Sequence, residues 1–242
     1  MTTIPGVPDT AVVLAAGLGK RMRPLTETKP KPMIEVGGRT LLDRGLDALA
    51  EAGVTNAVVN VHYLAEQIVA HVADRDRPRV SISDETDGLL DSGGGVRRAL
   101  PNGRIDPILL LNADTFWLDT PGSNAIRTLA QAWDADRMDM LLLLARPDHA
   151  VGHTGTGDFA IARDGTLRRD RDGHVYAGAA ILKPSIFRGD EAEVHSLNLH
   201  FDRLIETGRL YGAVMDGLWL TVGTPDAIGA AERAMREFQE RV

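Results

Sequence analysis

Residues 11–32 read AVVLAAGLGKRMRPLTETKPKP. Ala11 to Ala16 is an unbroken apolar run that stops at Gly17 and Gly19, the pattern of a buried parallel strand running into a glycine turn. Pro24, Pro30 and Pro32 keep the loop that follows out of long helix. Beyond it, Thr40 is placed to cap LLDRGLDALAEA, where Leu41, Leu42, Leu46 and Leu49 have helical spacing, and Gly53 closes the segment. AVVNV at 57–61 reads as the next strand. Strand, crossover helix, strand is a βαβ unit, and such units build parallel sheets with right-handed crossovers.

The alternation continues with a helix over 64–72, a strand over 80–83, a helix opening in Gly93 to Gly95, and the strand ILLLNAD ending at Asp114. MLLLLA at 140–145 and VYAGAAILK at 175–183 add strands, and GHTGTG at 152–157 reads as a loop. A helix over 197–207, a strand over 211–215 and an amphipathic helix after Pro225 complete the chain. With no repeat, low-complexity tract or linker, a single doubly wound domain over 1–242 is expected. Ligands in such sheets bind beyond the carboxyl ends of the strands, which puts Gly17 and Asp114 on one edge.

Composition narrows the function. Of 242 residues, 43% are hydrophobic and 25% charged, as in an ordinary globular protein rather than a disordered one. A net charge of −7 argues against a nucleic-acid partner held by a broad basic surface. The charge is unevenly spread: Lys20, Arg21, Arg23, Lys29 and Lys31 against Glu27 make a local +4, which leaves −11 on the rest. The absence of cysteine excludes disulfides, thiolate metal sites and a cysteine nucleophile. The opening MTTIPGVPDT lacks the features of a secretory signal, and no apolar run has the length of a membrane span, so a cytoplasmic protein with no membrane contact is expected.

Neither familiar phosphate loop fits the first stretch. GxxxxGK[ST] needs glycine where Leu14 stands, and GxGxxG needs it where Met22 stands. What remains is a strand-to-glycine turn that exposes backbone N–H groups, followed by five basic side chains in a proline-stiffened loop. That donor set suits a polyphosphate.

LAAGLGKRMRPLT followed by KPKPM resembles the opening of the sugar-1-phosphate nucleotidyltransferases. GVTNAVVNVHYL, LLDSGGG, NAD, GDF, YAGAAIL and WLTVGTP follow in that family's order over essentially the whole chain. The resemblance implies a Rossmann-like, GT-A-type three-layer α/β/α fold with a mostly parallel central sheet, residues 10–115 forming a nucleotide-binding half and 116–242 a sugar-phosphate-binding half. Short length, the Gly93–Gly95 run and GDF at 157–159 look most like the branch that transfers uridylate from UTP to N-acetylmuramate α-1-phosphate in peptidoglycan recycling. Mannose-1-phosphate guanylyltransferases share many of these features and stand as the alternative, with a non-catalytic nucleotide-binding regulatory domain as a distant one.

The implied site follows from the same resemblance. Arg21 and Lys31 are the catalytic cations, Arg21 for the β- and γ-phosphates and Lys31 for the α-phosphate and the incoming sugar phosphate. Ala15, Ala16, Gly17, Gly19 and Lys20 cradle the nucleotide, Asp91, Gly93 and Gly94 approach its base, and Asn112 contacts nucleotide or sugar. Asp158 and Gly178 face the sugar, whereas Phe159 reads as core. Asp114 is the Mg²⁺ ligand. The implied partners are a nucleoside triphosphate and a sugar 1-phosphate, in a monomer or weak dimer. One departure stands out: relatives carry W-x-D-x-G-T near the C-terminus, a second metal carboxylate, where this chain has Trp219, Leu220, Thr221, Val222, Gly223, Thr224. Asp216 and Asp226 do not fit that motif's offsets. The seven histidines lack paired metal-ligand spacing, and His62 and His200 read as ordinary loop or surface residues.

Overall fold

A computed structural model describes residues 6–100, 107–190 and 193–242. The opening five residues, part of the stretch inspected above for a targeting signal, lie outside them. In chain order the strands are β1 (Thr10–Leu14), β2 (Glu35–Val36), β3 (Arg39–Thr40), β4 (Asn56–Val61), β5 (Arg79–Asp84), β6 (Ile108–Asn112), β7 (Thr115–Asp119), β8 (Met140–Ala145), β9 (Ala150–Val151), β10 (Phe159–Ile161), β11 (Leu167–Arg169), β12 (Val175–Leu182), β13 (Leu210–Val214) and β14 (Gly217–Thr221). The α-helices are α1 (Leu41–Ala52), α2 (Ala65–Val72), α3 (Asp91–Ala99), α4 (Ala125–Ala132), α5 (Asn198–Glu206) and α6 (Pro225–Arg241).

Seven strands form the central sheet in the order β13-β8-β12-β6-β1-β4-β5. All run parallel except β12, which pairs antiparallel with both β6 and β8. Alternation along the strands divides the core between the two faces. Ala11, Val13, Val59 and Leu111 pack with α1, α2 and α4, while Val12, Leu110, Leu142 and Ala180 pack with α3 and α5. The result is the expected three-layer α/β/α arrangement. A smaller apolar cluster joins Met22, Ile34, Leu41, Phe116, Leu220 and Val222 to α6, tying the basic loop to the C-terminal segment.

The helix ends follow local chemistry. Thr40 Oγ1 accepts from Asp43 N–H at 3.0 Å and Gly53 closes α1, as its sequence indicates. β7, α4 and β14, with the short strands β2, β3, β9, β10 and β11, are elements that the periodicity of the sequence does not announce. The segment ILLLNAD does not continue as one strand to Asp114; it ends at Asn112, turns over Ala113 and Asp114, and leaves as β7. β7, β14 and β9 form a separate small sheet in which Thr221 pairs with Thr115. Among the described residues, no helix is long and apolar enough to cross a membrane.

Candidate active site

The strand order reverses at β1, which has β4 and β5 on one side and β6 on the other. Leu14 and Asn112 lie side by side at the carboxyl ends of β1 and β6, and crevices form at such reversals. A cleft of about 450 Å³ opens there, lined by Ala15, Ala16, Gly17, Lys31, Asn112 and Asp114, with Asn60, Glu85, Asp91 and Ser92 on its far wall. A smaller cleft of about 240 Å³ adjoins it, sharing Leu14, Ser92 and Asn112 and reaching Asp158, Arg169 and Tyr176.

Lys31 is nearly buried, 11% of its side chain exposed, and its Nζ lies 2.7 Å from Oδ2 of Asp114, which is 40% exposed. A catalytic cation and the metal-binding carboxylate expected from the sequence, 83 positions apart, therefore meet at the cleft. The remaining carboxylate oxygen of Asp114 has no described protein donor. Thr221 flanks this turn, since Val222 N–H donates to Asp114 O at 3.4 Å. Arg21 is exposed and sits outside the cleft lining, against the C-terminal motif: a Cβ on Gly223 would stand 3.6 Å from Arg21 Nη1. Lys20 is exposed beside it. Gly19 takes φ +61°, and a Cβ there would meet Thr26 Cγ2 at 2.9 Å, so glycine is required by the packing of the basic loop on itself.

Two residues the sequence reading passed over hold the glycine turn in place. Asn60 Oδ1 accepts from Ala15 N–H at 2.5 Å and from Ala16 N–H at 3.2 Å. Asn60 Nδ2 donates to Glu85 Oε1 at 2.7 Å, and the wholly buried Glu85 accepts from Leu90 N–H through Oε2. An asparagine in the middle of AVVNV, a strand buried on both faces, was the available signal, because a buried amide needs partners.

Gly93 and Gly94 do not line either cleft. Their N–H groups both donate to His195 O, at 2.9 and 3.1 Å, so the donors expected to be free at this helix start are engaged. Asp91 does face the larger cleft, at φ +60°. Asp158 accepts from Tyr176 N–H at 2.9 Å. Gly178 takes φ +80° at the irregularity in β12, and a Cβ there would meet Thr115 Oγ1 at 2.5 Å and Asn112 Cβ at 3.2 Å. Phe159 is core. Tyr176 is half-buried; its hydroxyl is shut off from solvent and has no partner among the described residues, and burial pushes its phenol up so that it stays neutral.

His200 corrects the expectation of a surface position. It is 1% exposed because the inner face of α5 packs beneath Phe187, and burial pushes its imidazole down to about 4. Two of the seven histidines, expected to lack metal-ligand spacing, nonetheless come together, since Asp190, His195 and His200 converge.

A mostly parallel sheet with a glycine turn and a nearly buried lysine paired to a carboxylate at its reversal point is the setting of a nucleotide-handling transferase. The chain belongs to the family of MobA-like NTP transferase domains, which it matches over residues 11–174, and it is a nucleotidyltransferase of the class acting on sugar 1-phosphates. Over 238 residues it is 42% identical to the N-acetylmuramate alpha-1-phosphate uridylyltransferase of Caulobacter vibrioides, covering 95% of this chain and 98% of that one. The enzyme of the same name from Neisseria meningitidis serogroup B is 34% identical over 88% of this chain and 93% of its own. A probable mannose-1-phosphate guanylyltransferase of Oryza sativa subsp. japonica is more distant, 25% identical, and the match covers 89% of this chain and 61% of that protein. Among solved structures, the inositol-1-phosphate CTP transferase from T. maritima superposes with a TM-score of 0.73 at 18% identity over 98% of both chains, a likeness of fold.

Proposed function

We propose that this chain joins UTP to N-acetylmuramate α-1-phosphate, giving UDP-N-acetylmuramate and pyrophosphate. The observation that carries the reading is the Lys31–Asp114 pair at 2.7 Å on the floor of the cleft, with the uridylyltransferase relatives supporting the choice of substrates. A phosphate oxygen of the sugar 1-phosphate attacks the α-phosphorus in line, and the bond from that phosphorus to the pyrophosphate oxygen breaks. The attacking group has a second pKa of about 6 and is mostly dianionic at neutral pH, so no protein base is needed. The residues' task is to hold two repelling anions in line and to stabilise the spread charge.

In this reading Lys31 supplies a compact charge to the α-phosphate and the incoming phosphate, and Arg21 a forked donor to the β- and γ-phosphates. Ala15, Ala16, Gly17, Gly19 and Lys20 cradle the nucleotide, with the first two fixed by Asn60. Asp91 and Asn112 line the nucleotide side, and Gly93 and Gly94 act by holding Asp91 and Ser92 in place. Asp158 lines the smaller cleft on the sugar side, and Gly178 acts by leaving room for Asn112, which lines both clefts. Residues 10–115 would present the nucleotide and 116–242 the sugar phosphate within one domain, as a monomer or weak dimer working in the cytoplasm in peptidoglycan recycling.

Enzymes of this family generally use a divalent metal. The donor set fits Mg²⁺: Asp114 has one oxygen held by Lys31 and one available, and Mg²⁺ commonly takes one or two carboxylates with phosphates and several waters. Asp114 would hold it, with Thr221 beside the turn in place of a second carboxylate. When bound, the ion neutralises phosphate charge. A pyrophosphate-release screen tests the reading, pairing UTP, GTP, CTP and dTTP with N-acetylmuramate, N-acetylglucosamine, glucose and mannose 1-phosphates in the presence of Mg²⁺. UTP with N-acetylmuramate α-1-phosphate should give the highest kcat/KM. A maximum at GTP with mannose 1-phosphate would replace the substrate assignment, and silence across the panel would overturn it.

A further inference from the structure

We infer that Asp190, His195 and His200 form a binding site for a divalent transition metal of the Zn²⁺ class, apart from the two clefts. The three ligand atoms are mutual neighbours. His195 Nε2 lies 3.1 Å from His200 Nε2, and Asp190 Oδ2 lies 3.3 Å from His200 Nε2 and 3.5 Å from His195 Nε2. A tetrahedral ion with bonds of about 2.0–2.1 Å sets its ligand atoms about 3.3–3.4 Å apart. The two imidazole centroids are 5.2 Å apart with their planes at 59°. Two rings bound through Nε2 to one tetrahedral ion have centroids separated by about 5.2 Å.

A second observation is independent of those distances. Asp190 Oδ2 is buried, in a side chain 4% exposed, and has no hydrogen-bond partner among the described residues. A proton shared between the two Nε2 atoms leaves the carboxylate oxygen without a donor, whereas one cation takes a lone pair from all three.

The surroundings are those of oriented ligands. Arg203 Nη1 holds Asp190 Oδ1 at 2.7 Å, which leaves Oδ2 turned to the histidines. The His200 ring stacks edge-on to Phe187 with centroids 4.5 Å apart. An outer hydrogen bond such as that from Arg203 orients a ligating carboxylate. Gly93 belongs to the same design, because a Cβ there would fall 2.5 Å from His195 Cδ2. Two nitrogens and one carboxylate oxygen suit Zn²⁺, Co²⁺ or Ni²⁺ over Mg²⁺, with water completing four-coordination.

The metal's role is structural. His195 O receives the Gly93 and Gly94 N–H groups, Leu197 N–H donates to Ser92 Oγ at 2.9 Å, and Val194, 61% exposed, forms part of the cleft wall. Clamping His195 therefore fixes the loop over 193–197 against the start of α3.

The test uses the full chain stripped with a chelator, then titrated with Co²⁺ and Zn²⁺ in excess Mg²⁺. One equivalent of Co²⁺ should bind with the intense visible bands of a four-coordinate ion, be displaced by Zn²⁺ and not by Mg²⁺, and raise Tm. His200→Ala should weaken binding by at least about 100-fold, since loss of an outer partner alone costs about 10–100-fold. Asp190→Asn keeps the side-chain shape, so it addresses the site even if the alanine variant unfolds, and it should also weaken Co²⁺ binding and alter its spectrum. His153→Ala, outside the cluster, should change neither. Absence of stoichiometric binding, six-coordinate Co²⁺ spectra, or unchanged affinity in a folded Asp190→Asn would overturn the site. All of these readouts are independent of the transfer reaction.

Discussion

Lys31 and Asp114 are each ambiguous alone, and their pairing explains why both sit where they do. The lysine is buried enough that its charge is strong, and the aspartate is open enough to reach a ligand. Lys31→Ala should lower kcat by about 100- to 1000-fold, the cost of losing one oriented donor to transition-state charge. Its Tm should stay near that of the parent, because water can solvate the half-exposed Asp114; steady-state kinetics and a melting curve check the two halves of the expectation. Asn60 behaves oppositely. Asn60→Ala would leave the Ala15 N–H and a Glu85 oxygen buried without their present partner, at about 1–3 kcal/mol for each unsatisfied group. Urea denaturation should show a lower midpoint, and substrate affinity should fall with it because the glycine turn loses its brace.

At the scale of elements, α3 shows how packing reverses a propensity. Replacing glycine by alanine in a helix interior normally gains about 1 kcal/mol. In Gly95→Ala the new Cβ would stand 2.7 Å from Asn60 Nδ2 and 2.9 Å from Glu85 Oε1, both locked in buried hydrogen bonds. A loss of about 1–3 kcal/mol is expected instead. Gly88→Ala is the comparison, with no atom within 4 Å of its Cβ and no positive φ. It should leave the urea midpoint unchanged or raise it slightly. The run from Gly93 to Gly95 thus works mainly as a spacer: two glycines admit the loop at 193–195 and the third admits the Asn60–Glu85 pair.

For the whole molecule, the edge of the sheet is tied by charge. Asp139 joins Lys183 after β12, at 2.9 Å, to Arg209 before β13, at 3.1 Å. The Arg209 hydrogen bond, helped by Lys183 and opposed by burial, holds the Asp139 carboxyl below the usual aspartate value. The folded state therefore binds this proton less readily than the unfolded chain, whose aspartates titrate at about 3.9. The stabilisation is present above that pH and is lost as pH falls through the lower folded value. Asp139→Asn should be less stable than the parent at pH 7, and the gap should narrow below about pH 4, as urea midpoints measured across that range would reveal.

The apolar runs, the glycine turn, the basic loop and the caps of α1 were legible because each is local. A strand buried on both faces must be apolar throughout, a chain reversal needs glycine, and a polyanion site needs clustered cations wherever the chain goes next. The position of Asp114 at the sheet edge was legible as the end of an apolar run, while its proposed role comes from the family resemblance. Periodicity, however, records which side chains are buried and not what they face. The antiparallel insertion of β12 between β6 and β8, the β7–β14 pairing and the meeting of Arg21 with Gly223 depend on contacts between distant segments. Asn60 finds its partners 45 and 25 positions away, and His195 and His200 belong to one cluster only because a loop folds back over α5. Sequence alone determined a mostly parallel sheet with a cationic loop at one edge. The tertiary structure decided which buried polar groups satisfy one another, because a desolvated donor or acceptor must be matched in space, and nothing in its neighbours along the chain says by what.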